Sequence, residues 1–529
     1  MPERRPLIEA LQQSLGGDAR VVETHISWVL LAGDYAYKIK KPVDFGFLDF
    51  STLDLRHHYC LEELRLNRRL APDLYLGVSA VTGTPEAPGF DGPGRVLEYA
   101  VKLQRFDEAC LADRLLGEGR LTAGLLDGLA RVLAAFHGAA ARATDLDGHG
   151  LPEAILAAAE HNFEHLSRIG PRPGEQGKKA RLDALLAWTR AEFQRLREVF
   201  LARKASGFVR ECHGDLHCGN LVLAGGRLLP FDCIEFSEDL RWIDCFSEVA
   251  FLLMDIEVRG RGDLAWRWLN HYLEITGDYA GLAVLDFYRV YRALVRAKIA
   301  GLSLGQADHA GGRLALEARC LRYIEYAERV ARSARKRNPV LLITHGFSGS
   351  GKSRLAYSLA ERWPAIRVAS DIERKRLAGL APLERSGSAL SGGIYTEDMS
   401  RQTYALLLGH AEFLLRAGFN VLLDATYLRA ADRDACRALA ERLAVRFFIL
   451  DLNAHEALLR ERLAQRLARG GDPSEADSGV LARQMAEAED LQRREKPFVL
   501  SLDAGFGANL DEVLRALGKA DGGLRVPPI

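Results

Sequence analysis

Two stretches of this 529-residue chain hold residue types at spacings suited to phosphate chemistry. Gly346-Phe347-Ser348-Gly349-Ser350-Gly351-Lys352-Ser353 has the G-x-x-x-x-G-K-S spacing of a phosphate-binding loop. Its glycines let backbone amides curl around phosphate oxygens without side-chain obstruction, and a helix starting at Lys352 would point its positive end at the anion. Lys352 would reach the β- and γ-phosphates of a nucleotide, and the Ser353 hydroxyl would ligate magnesium. The second stretch is His213-Gly214-Asp215-Leu216-His217-Cys218-Gly219-Asn220. On a tight loop, Asp215 can accept or orient a hydroxyl proton while Asn220 ligates magnesium.

Further carboxylates and cations stand where they could serve these groups. Asp371 follows a short apolar run and Asp424 ends another. In a parallel sheet the carboxyl ends of strands face the ligand, so Asp371 is placed as a general base toward an acceptor hydroxyl. Asp424 could hold magnesium through water. Arg460, Arg462, Arg466 and Arg469 precede Gly470-Gly471-Asp472-Pro473, a pattern suited to a mobile lid that closes cations over phosphate. Near the amino terminus, alternation along Tyr37-Lys38-Ile39-Lys40 turns both lysines to one side, and a following helix offers Glu62 and Glu63.

The elements that must position these residues fall into two patterns. Ser27 to Leu31 and Tyr35 to Lys40 flank a turn at Gly33-Asp34, Leu55 to Leu70 reads as a helix, and Val96 to Leu103 as a strand. Helical patterning then runs from Leu121 to Ala205. Strand-like pieces return at Phe208–Cys212, Leu221–Leu223 and Arg227–Phe231, and helices dominate from Arg241 to Arg335. A mostly β lobe followed by a mostly α lobe is a bilobal layout. The polar stretch Ser333 to Pro339 reads as a solvated linker. After it, strands and helices alternate, which implies a parallel sheet covered on both faces. The expected division is 1–330, a linker at 331–339, and 340–529.

The second half resembles the P-loop kinases of the gluconate kinase and polynucleotide 5′-hydroxyl kinase type. The resemblance is carried by GFSGSGKS, SDIERKRL from Ser370, GGIYTEDMSRQTY from Gly392, VLLDATYL from Val421 and ERLAQRLARGGDPSEADSGVLARQ from Glu461. It implies Asp371 as the acceptor-side base and Arg466 as the lid arginine, with Arg462 second. The first half, from Val21 to Ala300, resembles the aminoglycoside phosphotransferase and choline kinase superfamily, whose fold is protein-kinase-like. That resemblance implies Lys38 as the phosphate lysine, Glu63 as its partner, Asp215 as the base, and Asn220 and Asp232 as metal ligands. The stretch Glu98-Tyr-Ala-Val-Lys102 suits the segment joining the lobes, where backbone groups receive adenine. One departure is plain: the loop Glu23-Thr-His-Ile-Ser27 carries no glycine-rich motif. None of these motifs specifies an acceptor.

The fold class expected is an α+β bilobal protein-kinase-like domain followed by an α/β P-loop domain, using ATP and Mg2+ on small-molecule acceptors. Two rival readings are a regulatory protein in which only the P-loop site turns over, and a nucleic-acid 5′-hydroxyl kinase. The balance of 71 Lys and Arg against 71 Asp and Glu argues against a broad nucleic-acid surface. The amino terminus lacks a signal-peptide core and no apolar run approaches the ~18 residues of a membrane helix, so a cytoplasmic location is expected. The 8 cysteines include Cys212, Cys218, Cys233 and Cys245 near His213 and His217, but no CxxC pair occurs. They read as small buried apolar residues rather than zinc ligands, and His137 reads as a core or supporting histidine.

Overall fold

The computed structural model describes residues 5–16, 18–46, 48–144, 147–168, 177–304, 310–335, 337–386, 393–469, 473–503 and 510–518. The chain forms two compact units, Met1–Asp255 with Phe287–Glu317, and Ile256–Asp286 with Ala318–Ile529. Each is discontinuous in sequence.

The first unit opens with a six-stranded antiparallel sheet in the order Arg20–Glu23, Ser27–Ala32, Tyr35–Lys40, Val96–Gln104, Tyr75–Thr84, Ala87–Phe90. Gly33, at φ 54°, makes the hairpin turn between the second and third of these. One face is closed by helix Arg5–Ser14, whose Leu7, Ile8 and Leu11 pack with Trp28, Leu30 and Ile39. Helix Leu53–Asn67 starts at Thr52, whose hydroxyl accepts from the Leu55 amide at 3.2 Å. Its buried residues Arg56, Cys60, Glu63 and Asn67 recur at helical spacing and are mostly polar. Each of the three polar ones is paired: Arg56 with Glu98, Asn67 with the Cys233 amide, and Glu63 with two lysines. The helix therefore hides charged and polar groups alongside buried Cys60 and Leu66.

Residues 98–102 do not join the lobes. They lie inside strand Val96–Gln104, and Ala100 to Lys102 are paired on both sides. The peptide groups of Ala100 to Lys102 are thus committed to the sheet, and the chain leaves it only after Gln104. Strand Tyr75–Thr84, interrupted by Gly77 and Gly83, escaped the periodicity reading because the glycines break its alternation. Beyond the sheet come helices Ala123–Ala139, Pro152–Arg168 and Lys178–Ala205, the paired strands Val209–Glu211 and Trp242–Asp244, and the hairpin Leu221–Ala224 with Arg227–Pro230.

The second unit holds a five-stranded sheet, parallel throughout, in the order Ala365–Ala369, Asn420–Asp424, Val340–His345, Arg446–Asn453, Val499–Asp503. The central strand is buried on both faces, with Leu341, Leu342 and Ile343 fully covered. At roughly 1.5–3 kcal/mol for each large apolar side chain, that burial is what holds a strand without alternation in place. Helix Lys352–Arg362 packs Leu355 and Leu359 onto the sheet core. The stretch expected as a linker is largely exposed but partly helical. Helix Ala310–Arg335 runs through its first five residues, and Arg337 pairs with Asp286, donates to the Ala417 carbonyl at 2.9 Å, and stacks over Phe419.

Candidate functional site

In the first unit the alternation of strand Tyr35–Lys40 delivers both lysines to Glu63. Lys38 Nζ lies 2.8 Å from Glu63 Oε1 and 2.5 Å from Asp232 Oδ1. Lys40 Nζ lies 2.7 Å from Glu63 Oε2 and also pairs with Glu235. Lys38 retains 14% side-chain exposure and Lys40 none, so Lys38 is the lysine open to a ligand. Burial alone would drive the Lys38 ammonium toward neutrality, but Asp232 and Glu63 outweigh it and hold its pKa well above the ordinary lysine value. For Glu63, burial is likewise overcome by the two lysines, which hold its carboxyl down at about 2. Asp232 sits in left-handed backbone at φ 63°, with its amide donating to the Tyr75 hydroxyl at 3.0 Å.

Asp215 and Asn220 meet directly: the Asn220 amide nitrogen donates to Asp215 Oδ2 and to the Asp215 carbonyl, each at 3.0 Å. That leaves the Asn220 amide oxygen for a cation. The Asn220 carbonyl accepts from the Phe231 amide at 3.0 Å, which brings Asp232 alongside. Asp215 keeps a third of its side chain exposed. Burial opposes its charge, yet His217 and Arg296 hold it below the usual carboxylate range. The loop is tied from behind. Glu248 accepts from the His213 and Gly214 amides at 2.8 Å each and pairs with His137 Nε2 at 2.8 Å. His213 donates through Nε2 to the Phe231 carbonyl and accepts through Nδ1 from the Asp215 amide. Gly214 has φ 89°, and a Cβ there would stand 2.8 Å from the Leu240 carbonyl, so only glycine fits.

In the second unit the loop Gly346–Ser353 runs from the central strand into helix Lys352–Arg362. Gly346 and Gly349 have φ 135° and 87°, and a Cβ at either would come within 3 Å of the Leu452 or Leu459 carbonyl. Lys352 Nζ donates to the Phe347 carbonyl at 2.7 Å. Burial lowers its pKa to about 8 against the opposing pull of Asp424 and Asp371. Ser348 is bracketed by Gln484, which accepts from its amide at 2.9 Å and donates to its hydroxyl at 3.0 Å. Ser350 is buried within the loop.

Asp371 lies in the first turn of helix Ser370–Leu377, two residues past the strand end at Ala369, with Arg374 3.5 Å away. Asp424 ends its strand and accepts at Oδ2 from Arg367 Nε at 3.0 Å. Arg462 lies over the loop, 3.4 Å from the Gly349 and Ser350 carbonyls, whereas Arg466 donates to the Ala476 carbonyl at 2.7 Å. Arg462 is the one that touches the loop here. The proposed lid glycines Gly470 and Gly471 lie outside the described residues. Lys352, Ser353, Asp371, Asp424, Arg462 and Arg466 all line one cleft of about 710 Å³, within the usual range for a ligand site.

All four cysteines near the Asp215 loop are buried and outside any disulfide. Among the described residues, His137, Cys212 and Cys245 bring candidate ligand atoms within 4.8 Å of one another, in the packed interior behind the loop. His137 also pairs with Glu248, which accepts from the loop amides. Glu235, Glu248, Tyr75, Arg367 and Gln484 escaped the sequence reading. Glu248 alone had a visible signal, a carboxylate inside the apolar run of helix Cys245–Val258. Among the described residues no helix is long and apolar enough to cross a membrane.

Residues 55–288 match the family model described as the phosphotransferase enzyme family, and residues 341–491 match one described as an AAA domain. Uncharacterized proteins of Mycobacterium bovis and of Mycobacterium tuberculosis are each 32% identical over 479 residues, spanning 89% of this chain and 90% of theirs. A gluconokinase from Sinorhizobium meliloti 1021 is 22% identical and covers 34% of this chain and 90% of its own, at a TM-score of 0.25. A choline kinase from Cryptosporidium parvum Iowa II is 10% identical and covers 60% of this chain and 90% of its own, at a TM-score of 0.36.

Proposed function

We propose, from the premise that this chain belongs to one family with the mycobacterial proteins and joins a phosphotransferase-family domain to a P-loop kinase domain, that it transfers phosphoryl groups from ATP at two separate sites. The chain is a kinase; the two sites and their small-molecule hydroxyl acceptors are the proposal. The observation that carries it is the Glu63–Lys38–Asp232 chain of ion pairs in a unit that also joins Asp215 to Asn220. A cation, its orienting carboxylate, a base and two hard oxygen ligands form a complete set for phosphoryl transfer, and packing would require none of it.

At each site an acceptor hydroxyl would attack the γ-phosphorus as its bond to the ADP oxygen breaks. Its proton would pass to Asp215 in the first unit or Asp371 in the second. Lys38 and Lys352 would hold the phosphates, and Arg466 and Arg462 would offset the charge on the transferring group. The oxygen donors Asn220 and Asp232, and Ser353 and Asp424, suit magnesium, whose charge would offset that of the phosphates. The catalytic modules would be 1–330 and 340–529, joined through 331–339 and working in the cytoplasm, with residues 256–286 packed into the second compact unit.

The test is an acceptor screen with γ-labelled ATP on the full chain beside Asp215→Asn and Asp371→Asn. Each amide keeps the shape and loses the basicity, so transfer at its own site should fall about 10²–10⁴-fold with ATP affinity kept. If Asp215→Asn and a Lys38→Ala variant both leave every transfer and every Mg-ATP thermal shift unchanged, the first site is a binding module and only the P-loop turns over.

A further inference from the structure

The P-loop unit contains a helix from outside the residues matched to its own family. Helix Gly262–Thr276 lies within the stretch matched to the phosphotransferase family, yet it belongs to the second compact unit. It runs beside strand Ala365–Ala369, the outermost strand of the parallel sheet. Asn270 donates its amide N–H to the Ala365 carbonyl at 2.9 Å and accepts from the Arg367 amide at 2.8 Å. One carboxamide thus takes the place of a neighbouring peptide group and closes the sheet edge.

One helical turn on, Glu274 reaches the same strand. Its Oε1 accepts from Arg367 Nη1, and its Oε2 accepts from the Tyr357 hydroxyl at 2.8 Å. Arg367 spends its remaining groups on Asp424, with Nε at 3.0 Å and Nη2 at 2.5 Å from Oδ2. Glu274, Arg367 and Asp424 are 2%, 3% and 4% exposed, so solvent screens none of these charges well. The turn that follows reaches the other carboxylate-bearing element: Arg376 donates to the Glu274 carbonyl at 2.6 Å, and the Tyr279 hydroxyl to Glu373, two residues after Asp371.

We propose that Glu274 is a positioning residue of the P-loop site, sharing Arg367 with Asp424 so that Asp424 stays oriented and only partly neutralised. The proposal rests on the reading of Asp424 as a magnesium-holding group. One guanidinium between two carboxylates divides its charge between them, so Asp424 keeps part of its own charge for the groups that face it in the cleft. Without Glu274 the same guanidinium would neutralise Asp424 alone, and Nη1 would be buried without its carboxylate.

The test uses the full chain with the first site silenced by Lys38→Ala and Asp232→Ala. Calorimetry gives ATP affinity at graded Mg2+, and thermal unfolding monitors the fold. Glu274→Gln should raise the Mg2+ needed for half-maximal ATP affinity about tenfold, as loss of a partner behind a metal ligand does. Tyr357→Phe, which removes only the hydroxyl on Glu274, should move it in the same direction by less, and serves if Glu274→Gln does not fold. Asp424→Asn is the control for the underlying reading. If Asp424→Asn leaves the Mg2+ dependence unchanged, that reading fails and this proposal with it. If Asp424→Asn shifts the dependence while folded Glu274→Gln and Tyr357→Phe do not, Glu274 is structural only and the proposal alone is overturned.

Discussion

Lys352 carries a cost before any nucleotide arrives. Its ammonium is buried, and burial pulls its pKa to about 8 in spite of Asp424 and Asp371. In the unfolded chain a lysine keeps its proton to about pH 10.4. Between those values the unfolded state binds more protons, so this group makes folding stability rise with pH across that window. Nucleotide phosphates favour the charged form, so ATP binding above about pH 8 must draw in a proton. ATP affinity at the P-loop should therefore fall by up to about tenfold per pH unit above that value. Calorimetry in buffers of different ionisation enthalpy should report the proton taken up. Lys352→Ala should abolish that uptake and weaken binding at pH 7. Affinity that is flat from pH 7 to 10 would place the phosphate charge elsewhere.

Two elements depend on single residues with no spare geometry. The loop His213–Asn220 needs Gly214, whose φ of 89° and 2.8 Å Cβ approach to the Leu240 carbonyl leave no room for a side chain. Gly214→Ala should cost about 1–3 kcal/mol of stability, read as a lowered Tm, and should weaken transfer by displacing Asp215. An alanine variant with parental Tm would mean that the loop rearranges freely. The outer strand Ala365–Ala369 depends on Asn270 in the same way. Asn270→Ala strips partners from the Ala365 carbonyl and the Arg367 amide together. Unsatisfied buried groups of that kind cost about 1–3 kcal/mol, which denaturant unfolding should resolve. An unchanged unfolding midpoint would mean that other groups can close that edge.

At the scale of the molecule, packing and sequence order divide the chain differently. Because residues 256–286 belong to the second compact unit, a cut near Asn338 removes its bracing helix, the edge-capping Asn270 and Glu274 together. A fragment beginning at Lys336 should then show no ATP-induced thermal shift, whereas the full chain with a silenced first site should keep one. A fragment that bound ATP as tightly as the full chain would show the helix to be dispensable.

Both phosphate motifs, the bilobal pattern and the parallel α/β pattern were legible because each rests on local physics, whereas the roles of Lys38, Glu63, Asp215, Asn220, Asp232, Lys352, Asp371 and Asp424 came from the resemblance and from spacing and stand as proposals. Glycine in left-handed backbone, alternation along a strand and a carboxylate at a strand end are all set within a few residues. What the chain order could not show was which distant side chains would meet. Lys38 and Lys40 face the same way on one strand, and only the burial of Lys40 beneath Glu63 and Glu235 leaves Lys38 open. The buried Arg56–Glu98 pair beneath helix Leu53–Asn67 went unseen because hydropathy counts residues, not partners. Arg367 and Glu274, 93 residues apart, became a pair only when a helix packed against a sheet edge. Local patterns follow from the backbone of each segment, whereas a buried charge is tolerable only where the tertiary fold supplies its counter-charge.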